Sequence, residues 1–169
     1  MKKYLIIKKT KELSFDQINE IMLLKNQHWK NGLKSQLIWF KNNSFANDIH
    51  IMVYINNKVI GYVHLGYRRV KINLKEKNYI LFRNLIVNKK FRSQKISSLI
   101  MNVTNILIRS KKEIGFLICK KKLCKFYQKF NWKINNKKLI FLSDHDHRSM
   151  KFMIFNSKSK FKKIFFYKK

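Results

Sequence analysis

Lys89, Lys90, Arg92 and Lys95 crowd a short connection between an apolar run, Leu85-Ile86-Val87, and an apolar stripe that begins at Ile96. A strand that turns into a helix in this way is suited to holding phosphate. The first helical turn offers N–H groups without partners and the positive end of the helix dipole. The four cations reinforce what the backbone already does, so an anionic ligand is expected where this connection enters the helix.

A second group of residues could move protons. His64, Asp48 and His50 lie in or beside β-rich runs, and Asp144-His145-Asp146-His147 forms a polar loop late in the chain. Alternating carboxylate and imidazole groups are chemically suitable metal ligands. Adjacent loop residues point in different directions, however, and no further ligands cluster elsewhere, so no metal is expected. Cys119 and Cys124 lack Cys or His partners at metal spacing, which argues against a zinc site or a disulfide framework and fits a reduced compartment. Trp29, Trp39 and the run between them could wall a pocket, the competing reading being that both tryptophans are core.

The elements that must position these groups follow from periodicity. Tyr4 to Lys8 reads as a strand, and Ser14-Phe15-Asp16-Gln17 as a capping box that opens a helix with Ile18, Ile21 and Met22 on its apolar face. A second helix is expected over Lys34 to Lys41. His50 to Ile55 and Lys58 to Tyr67 read as strands joined by Asn56-Asn57, a pair that tolerates the positive φ of a tight hairpin. Tyr79 to Val87 is a further strand, and Ile96, Leu99, Ile100, Val103 and Leu107 mark the helix after the basic turn. Ile114 to Cys119 reads as a buried strand, and Lys122 to Phe130 as a helix with Leu123, Phe126, Tyr127 and Phe130 on one face. Trp132 to Leu142 and Met150 to Phe155 read as a closing strand pair. A basic, aromatic tail follows.

The chain has 169 residues with 46% apolar composition, which suits one compact domain with a substantial core. It carries 39 Lys and Arg against 8 Asp and Glu, a net charge of +31 that attracts polyanions and repels cations. Abundant Lys, Asn, Ile and Phe beside a lone Ala46 is the bias of an AT-rich genome, which explains the lysines better than the missing carboxylates. No apolar run approaches the ~20 residues of a membrane span, and Lys2-Lys3 precedes too short an apolar stretch for a signal peptide. A soluble, cytoplasmic protein is expected.

With the order β, α, α, β, β, β, α, β, α, β, β, the chain resembles the GNAT superfamily of N-acetyltransferases from about Tyr4 to Phe155, most specifically from Ile49 to Ile134. The resemblance implies an α/β (α+β) fold over 1–156, with a mostly antiparallel mixed sheet splayed between strands 4 and 5 and about four helices, and a tail over 157–169. It implies acetyl-coenzyme A as co-substrate. The family's pyrophosphate loop runs Gln/Arg-x-x-Gly-x-Gly/Ala, which the resemblance sets on Arg92-Ser93-Gln94-Lys95-Ile96-Ser97; Arg92 fits, while Lys95 and Ser97 stand at the two glycine positions. Glycine lets the backbone approach phosphate closely, so the Lys95 side chain must point outward. Main-chain groups of Leu85, Ile86 and Val87 are implied to pair with the pantetheine arm, one N–H stabilising the oxyanion.

Tyr127, in Phe126-Tyr127-Gln128-Lys129-Phe130-Asn131, matches the family's general acid, which protonates the departing thiolate. Asn131 replaces a customary glycine, and Asn tolerates left-handed geometry. The strand Tyr79 to Val87 holds no carboxylate, so His64 becomes the candidate base. Trp29, Asp48, His50, Asp144 and His145 become candidate acceptor contacts. The net charge favours an anionic acceptor, such as a nucleotide-linked amino sugar used in surface polysaccharide synthesis, over a cationic one. Protein or peptide N-acetylation is the alternative within the enzyme class. A non-catalytic binder of nucleic acid or anionic membrane, using the tail Lys158 to Lys169, is the alternative outside it. A monomer or homodimer is expected.

Overall fold

The computed structural model describes residues 2–73, 75–135, 140–141, 150–157 and 164–166. They form two compact units, Met1–Gly66 with Phe82–Val103, and Tyr67–Leu81 with Thr104–Lys169.

The first unit holds β1 (Lys3–Lys9), α1 (Phe15–His28), α2 (Leu33–Asn43), β2 (Ile49–Ile55), the start of β3 (Lys58–Ile72), the end of β4 (Lys75–Val87) and the first turns of α3 (Ile96–Ser110). Its sheet runs β1-β2-β3-β4, with β2 antiparallel to both β1 and β3. The capping box at Ser14 forms as the sequence implies: Gln17 N–H donates to Ser14 Oγ (3.3 Å), and Ser14 N–H donates to Gln17 Oε1 (3.1 Å). Asn56 and Asn57 take φ values of 48° and 60°, the left-handed pair of a tight hairpin.

Every residue of β2 is buried, because both faces of this sheet are covered. Met52, Tyr54, Tyr62 and Ile86 pack with Ile21, Met22 and Leu24 of α1 and Phe40 of α2. On the other face α3 lies so close that a Cβ added at Gly61 would stand 2.6 Å from Ile96 Cγ2 and 3.1 Å from Ile100 Cδ1.

The second unit contains the remainder of β3, β4 and α3, with β5 (Ile114–Lys120), α4 (Cys124–Gln128), β6 (Lys133–Ile134), β7 (Ile140–Phe141), β8 (Met150–Phe155) and β9 (Ile164–Phe166). Here β4 pairs parallel with β5 over Tyr79–Leu81 and Ile114–Phe116, and the ladder ends there although β4 continues to Val87. β8 pairs antiparallel with both β5 and β6. The core joins Val70, Ile72, Tyr79, Phe116, Phe152 and Ile154.

The fold class, a mixed and mostly antiparallel sheet with four helices among the described residues, agrees with the sequence reading; several boundaries do not. β3 and β4 extend beyond the expected Tyr67 and Tyr79 ends. Among the described residues of the run expected as one strand over Trp132 to Leu142 are two short strands, of which β6 pairs with β8 and β7 with β9. The helix expected over Lys122 to Phe130 is the short α4, preceded by a 3-10 turn at Lys121–Leu123. Within the expected tail, Ile164–Phe166 pairs with Val70–Ile72 of β3.

Candidate active site

The turn between β4 and α3 begins at Asn88, whose N–H donates to the Ile60 carbonyl (2.8 Å) and whose side-chain oxygen accepts from Lys90 N–H (3.1 Å). These bonds pin a single 3-10 turn at Lys89–Phe91. Lys95 then adopts φ = 55°, the left-handed backbone that a glycine at this position would take. Leu99 N–H donates back to the Lys95 carbonyl (3.0 Å), so the preceding first-turn amides open α3 without carbonyl partners in the helix. Lys95 is exposed, as an outward-pointing side chain requires. A small crevice beside this turn is lined by Leu24, Gln27 and His28 of α1, Ile86 and Val87 of β4, and Lys89 and Arg92.

β4 itself is irregular at Asn84, which has φ = 60° inside the strand. Such a residue turns the backbone locally and breaks the strict alternation of its amides. It lies immediately before Leu85, Ile86 and Val87.

The candidate proton-moving residues meet in one buried cluster. His50 of β2 and His64 of β3 are register partners and stack with ring centroids 4.7 Å apart. His50 Nδ1 lies 2.8 Å from Tyr62 OH and its Nε2 lies 2.8 Å from Thr10 Oγ1, while Thr10 Oγ1 donates to the Asp48 carbonyl (3.4 Å). One arrangement satisfies all three contacts: Tyr62 donates to His50 Nδ1, and His50 Nε2–H donates to Thr10. Burial, followed by the neighbouring His64, pushes the His50 pKa down to about 3, so the ring is neutral. Burial holds the Tyr62 hydroxyl well above its ordinary range, which keeps it a donor.

His64 Nε2 donates to Asp48 Oδ2 (2.9 Å), and the same oxygen accepts from Phe45 N–H (3.0 Å) and stands 4.0 Å from the Arg83 guanidinium. Arg83, on β4, also donates to the Asn43 carbonyl and lies over the Trp39 ring, 5.3 Å from its centroid. Lys25 of α1 lies over the same ring, its Nζ 4.1 Å from the centroid.

The structure thus gathers Asp48, His50 and His64 and seals them, at 1%, 0% and 0% exposure. Trp29 is placed apart from them, 37% exposed at the end of α1, where its carbonyl accepts from Gln36 Nε2. Asp144 and His145 lie outside the described residues. Lys25 and Arg83 were missed by sequence reasoning, yet both left a signal: each is a cation at an apolar position, Lys25 one turn after Ile21 and Arg83 within Tyr79 to Val87.

In the second unit, Tyr127 of α4 is buried and packs edge-on against Phe126, with centroids 5.1 Å apart. Burial, followed by Cys119, holds its hydroxyl above the ordinary phenol range, so it is protonated at neutral pH. Asn131 takes φ = 63°, the left-handed geometry expected of a glycine substitute. Cys119 and Cys124 are free, buried thiols 3.9 Å apart, and burial together with Cys124 pushes Cys119 up to about 12. Among the described residues, no group of three or more His, Cys, Asp or Glu side chains is placed to hold a metal ion.

No protein-family model and no curated sequence matches the chain. Solved structures do. The chain is similar to the GNAT family N-acetyltransferase YhbS from Escherichia coli in complex with coenzyme A (12% identity, TM-score 0.67, 96% of this chain and 89% of that one). It is also similar to Escherichia coli ElaA (14%, 0.65, 90% and 99%) and to an acyl-coenzyme A N-acyltransferase from Pseudomonas aeruginosa (10%, 0.64, 90% and 97%). The chain has the GNAT fold. At such identities the shared property is the arrangement of elements.

Proposed function

We propose that the chain is an acetyl-coenzyme A-dependent N-acetyltransferase whose acceptor is a negatively charged amine, a class that includes nucleotide-linked amino sugars. The observation that supports this reading is Lys95 at φ = 55°: the residue at the first glycine position takes a backbone conformation that glycine adopts freely, and it is exposed. Amides from Ser93 to Ser97 and the first turn of α3 hold the diphosphate, with Arg92 and Lys95 adding charge. The thioester supplies an activated acetyl carbonyl.

Main-chain groups of Leu85 to Val87 hold the pantetheine arm, and an N–H in this segment stabilises the oxyanion that develops as the amine attacks. Tyr127 donates its phenolic proton to the thiolate as the carbon–sulfur bond breaks, a contribution typically worth ~10² to 10⁴ in rate. His64, sealed against Asp48, is assigned a positioning role: it fixes the carboxylate that faces Arg83.

Thiol release with the full chain, acetyl-coenzyme A and a panel of amines tests the reading. Turnover of anionic amines that is lost in Tyr127→Phe while coenzyme binding persists supports it. Turnover confined to polyamines or protein N-termini overturns the acceptor assignment, and unchanged turnover in Tyr127→Phe returns that residue to the core.

A further inference from the structure

Cys119 and Cys124 are the only cysteines of the chain, and the fold brings both to one buried point of the second unit. Cys119 lies near the end of β5, where Leu117 pairs with Met153 of β8 and Cys119 with Lys151. Residues two apart on a strand share a face, so Leu117, Cys119 and Met153 look to the same side of the sheet. The opposite side carries Phe116, Phe152 and Ile154, which join the core with Val70 and Ile72. Cys124, the first residue of α4, meets Cys119 across the 3-10 turn Lys121–Leu123.

Three sulfur atoms gather as a result. Cys119 Sγ lies 3.9 Å from Cys124 Sγ and 3.8 Å from Met153 Sδ. All three side chains are buried, at 4%, 5% and 0% exposure. Sulfur bonds a metal ion such as zinc at about 2.3 Å, a reach that sets neighbouring sulfurs about 3.8 Å apart in a tetrahedron and about 4.0 Å apart in a trigonal plane. Cys119 therefore already stands at ligand spacing from both partners.

The donor set selects the ion. Two thiols and a thioether are soft ligands, which favour Cu(I). A structural zinc site takes four ligands from Cys and His, and among the described residues no His, Asp or Glu joins the two cysteines in a group of three. The sequence pattern concealed the third donor, because a methionine far along the chain carries no metal-site spacing. Binding releases the two thiol protons to water, and one Cu(I) held by two thiolates and a neutral thioether leaves one negative charge overall. Lys120, Lys121, Lys122 and Lys125 are exposed on the same short stretch and offset it.

We infer that Cys119, Cys124 and Met153 form a binding site for Cu(I), in which two thiolates and a thioether enclose the ion away from water. The site is independent of the transferase reading, since no coenzyme enters it. Cys124 opens the helix that carries Tyr127 three residues later, so an ion at this point ties α4 to the face shared by β5 and β8.

The test uses the full chain, reduced and anaerobic, with ascorbate as reductant so that no competing thiol is present. Cu(I) is presented as its bicinchoninate complex, and loss of that complex's colour reports transfer to the protein. One equivalent is expected to transfer, and copper K-edge absorption of the product is expected to show sulfur ligands alone. Zn(II) at equal concentration is expected to leave the transfer unchanged.

Met153→Leu keeps an apolar side chain of similar volume and is expected to weaken Cu(I) affinity about tenfold, the least that loss of a supporting group costs a metal site. Cys124→Ala is expected to weaken it by about a hundredfold or more. Melting curves show whether that variant keeps its fold; where it does not, Met153→Leu decides. Retention of the copper by bicinchoninate, nitrogen or oxygen ligands in the absorption spectrum, displacement of Cu(I) by Zn(II), or undiminished affinity in either folded variant overturns the site.

Discussion

Lys95 and Lys25 are both lysines in unusual settings, and each sets a stability that can be measured. Lys95 holds a left-handed φ without the freedom of glycine, at a cost of about 1–2 kcal/mol. Lys95→Gly is therefore expected to raise stability by about 1 kcal/mol and to keep coenzyme binding, whereas Lys95→Val, with a β-branched side chain, lowers both. Denaturant unfolding paired with coenzyme titration checks this.

The folded pKa of Lys25, about 8, lies below its ordinary 10.5, so between those values the unfolded chain binds the proton that the folded chain does not. Stability from this group therefore rises with pH across that window, and below pH 8 the full cost of burying the charge is borne. Lys25→Met is expected to be the more stable protein at pH 7, by on the order of 2 kcal/mol after allowing for screening, with the difference shrinking towards pH 10.5. Unfolding curves of both proteins at pH 7, 8.5 and 10 measure it. The resemblance to the GNAT loop pattern marked Lys95 as standing at a glycine position. It did not reveal why Lys25 matters, because a counter-charge is a three-dimensional property.

At the scale of elements, α3 and its first turn depend on how closely β3 approaches. Gly61 allows that approach, and Gly61→Ala places a methyl group against Ile96 and Ile100. It is expected to cost about 1–3 kcal/mol and to weaken coenzyme binding several-fold, since Ile96 opens the helix whose amides are to hold the diphosphate. A variant with normal stability and normal affinity would show that α3 has room to shift.

Local signals made most elements legible. Ser14 to Gln17 marked the start of α1, Asn56-Asn57 marked the hairpin, and the stripe from Ile96 marked α3. The far ends of β3 and β4 were not legible, because Arg68-Arg69 breaks the alternation that identifies a strand. Val70 and Ile72 are buried there by residues distant in sequence, and β9 pairs with them from the end of the chain. Likewise Asp48, His50 and His64 are separate weak signals in sequence, and the antiparallel register of β2 with β3 joins them.

Over the whole molecule, +31 is a repulsive load on the folded state. Raising salt from about 50 to 500 mM shortens the Debye length from roughly 14 to 4 Å and is expected to raise the melting temperature by several degrees. The same series separates the two classes of function. Coenzyme affinity, which rests on a few charges and many amides, declines shallowly with salt, whereas a nucleic-acid complex loses affinity by orders of magnitude.

Titration of the full chain with acetyl-coenzyme A by calorimetry tests the central claim most directly. The account predicts one site per chain with micromolar affinity, weakened when Ser97→Pro removes a first-turn amide from α3. Absence of heat and of any melting shift at millimolar acetyl-coenzyme A would contradict it, because the positive-φ turn at Lys95 would then have no diphosphate to hold.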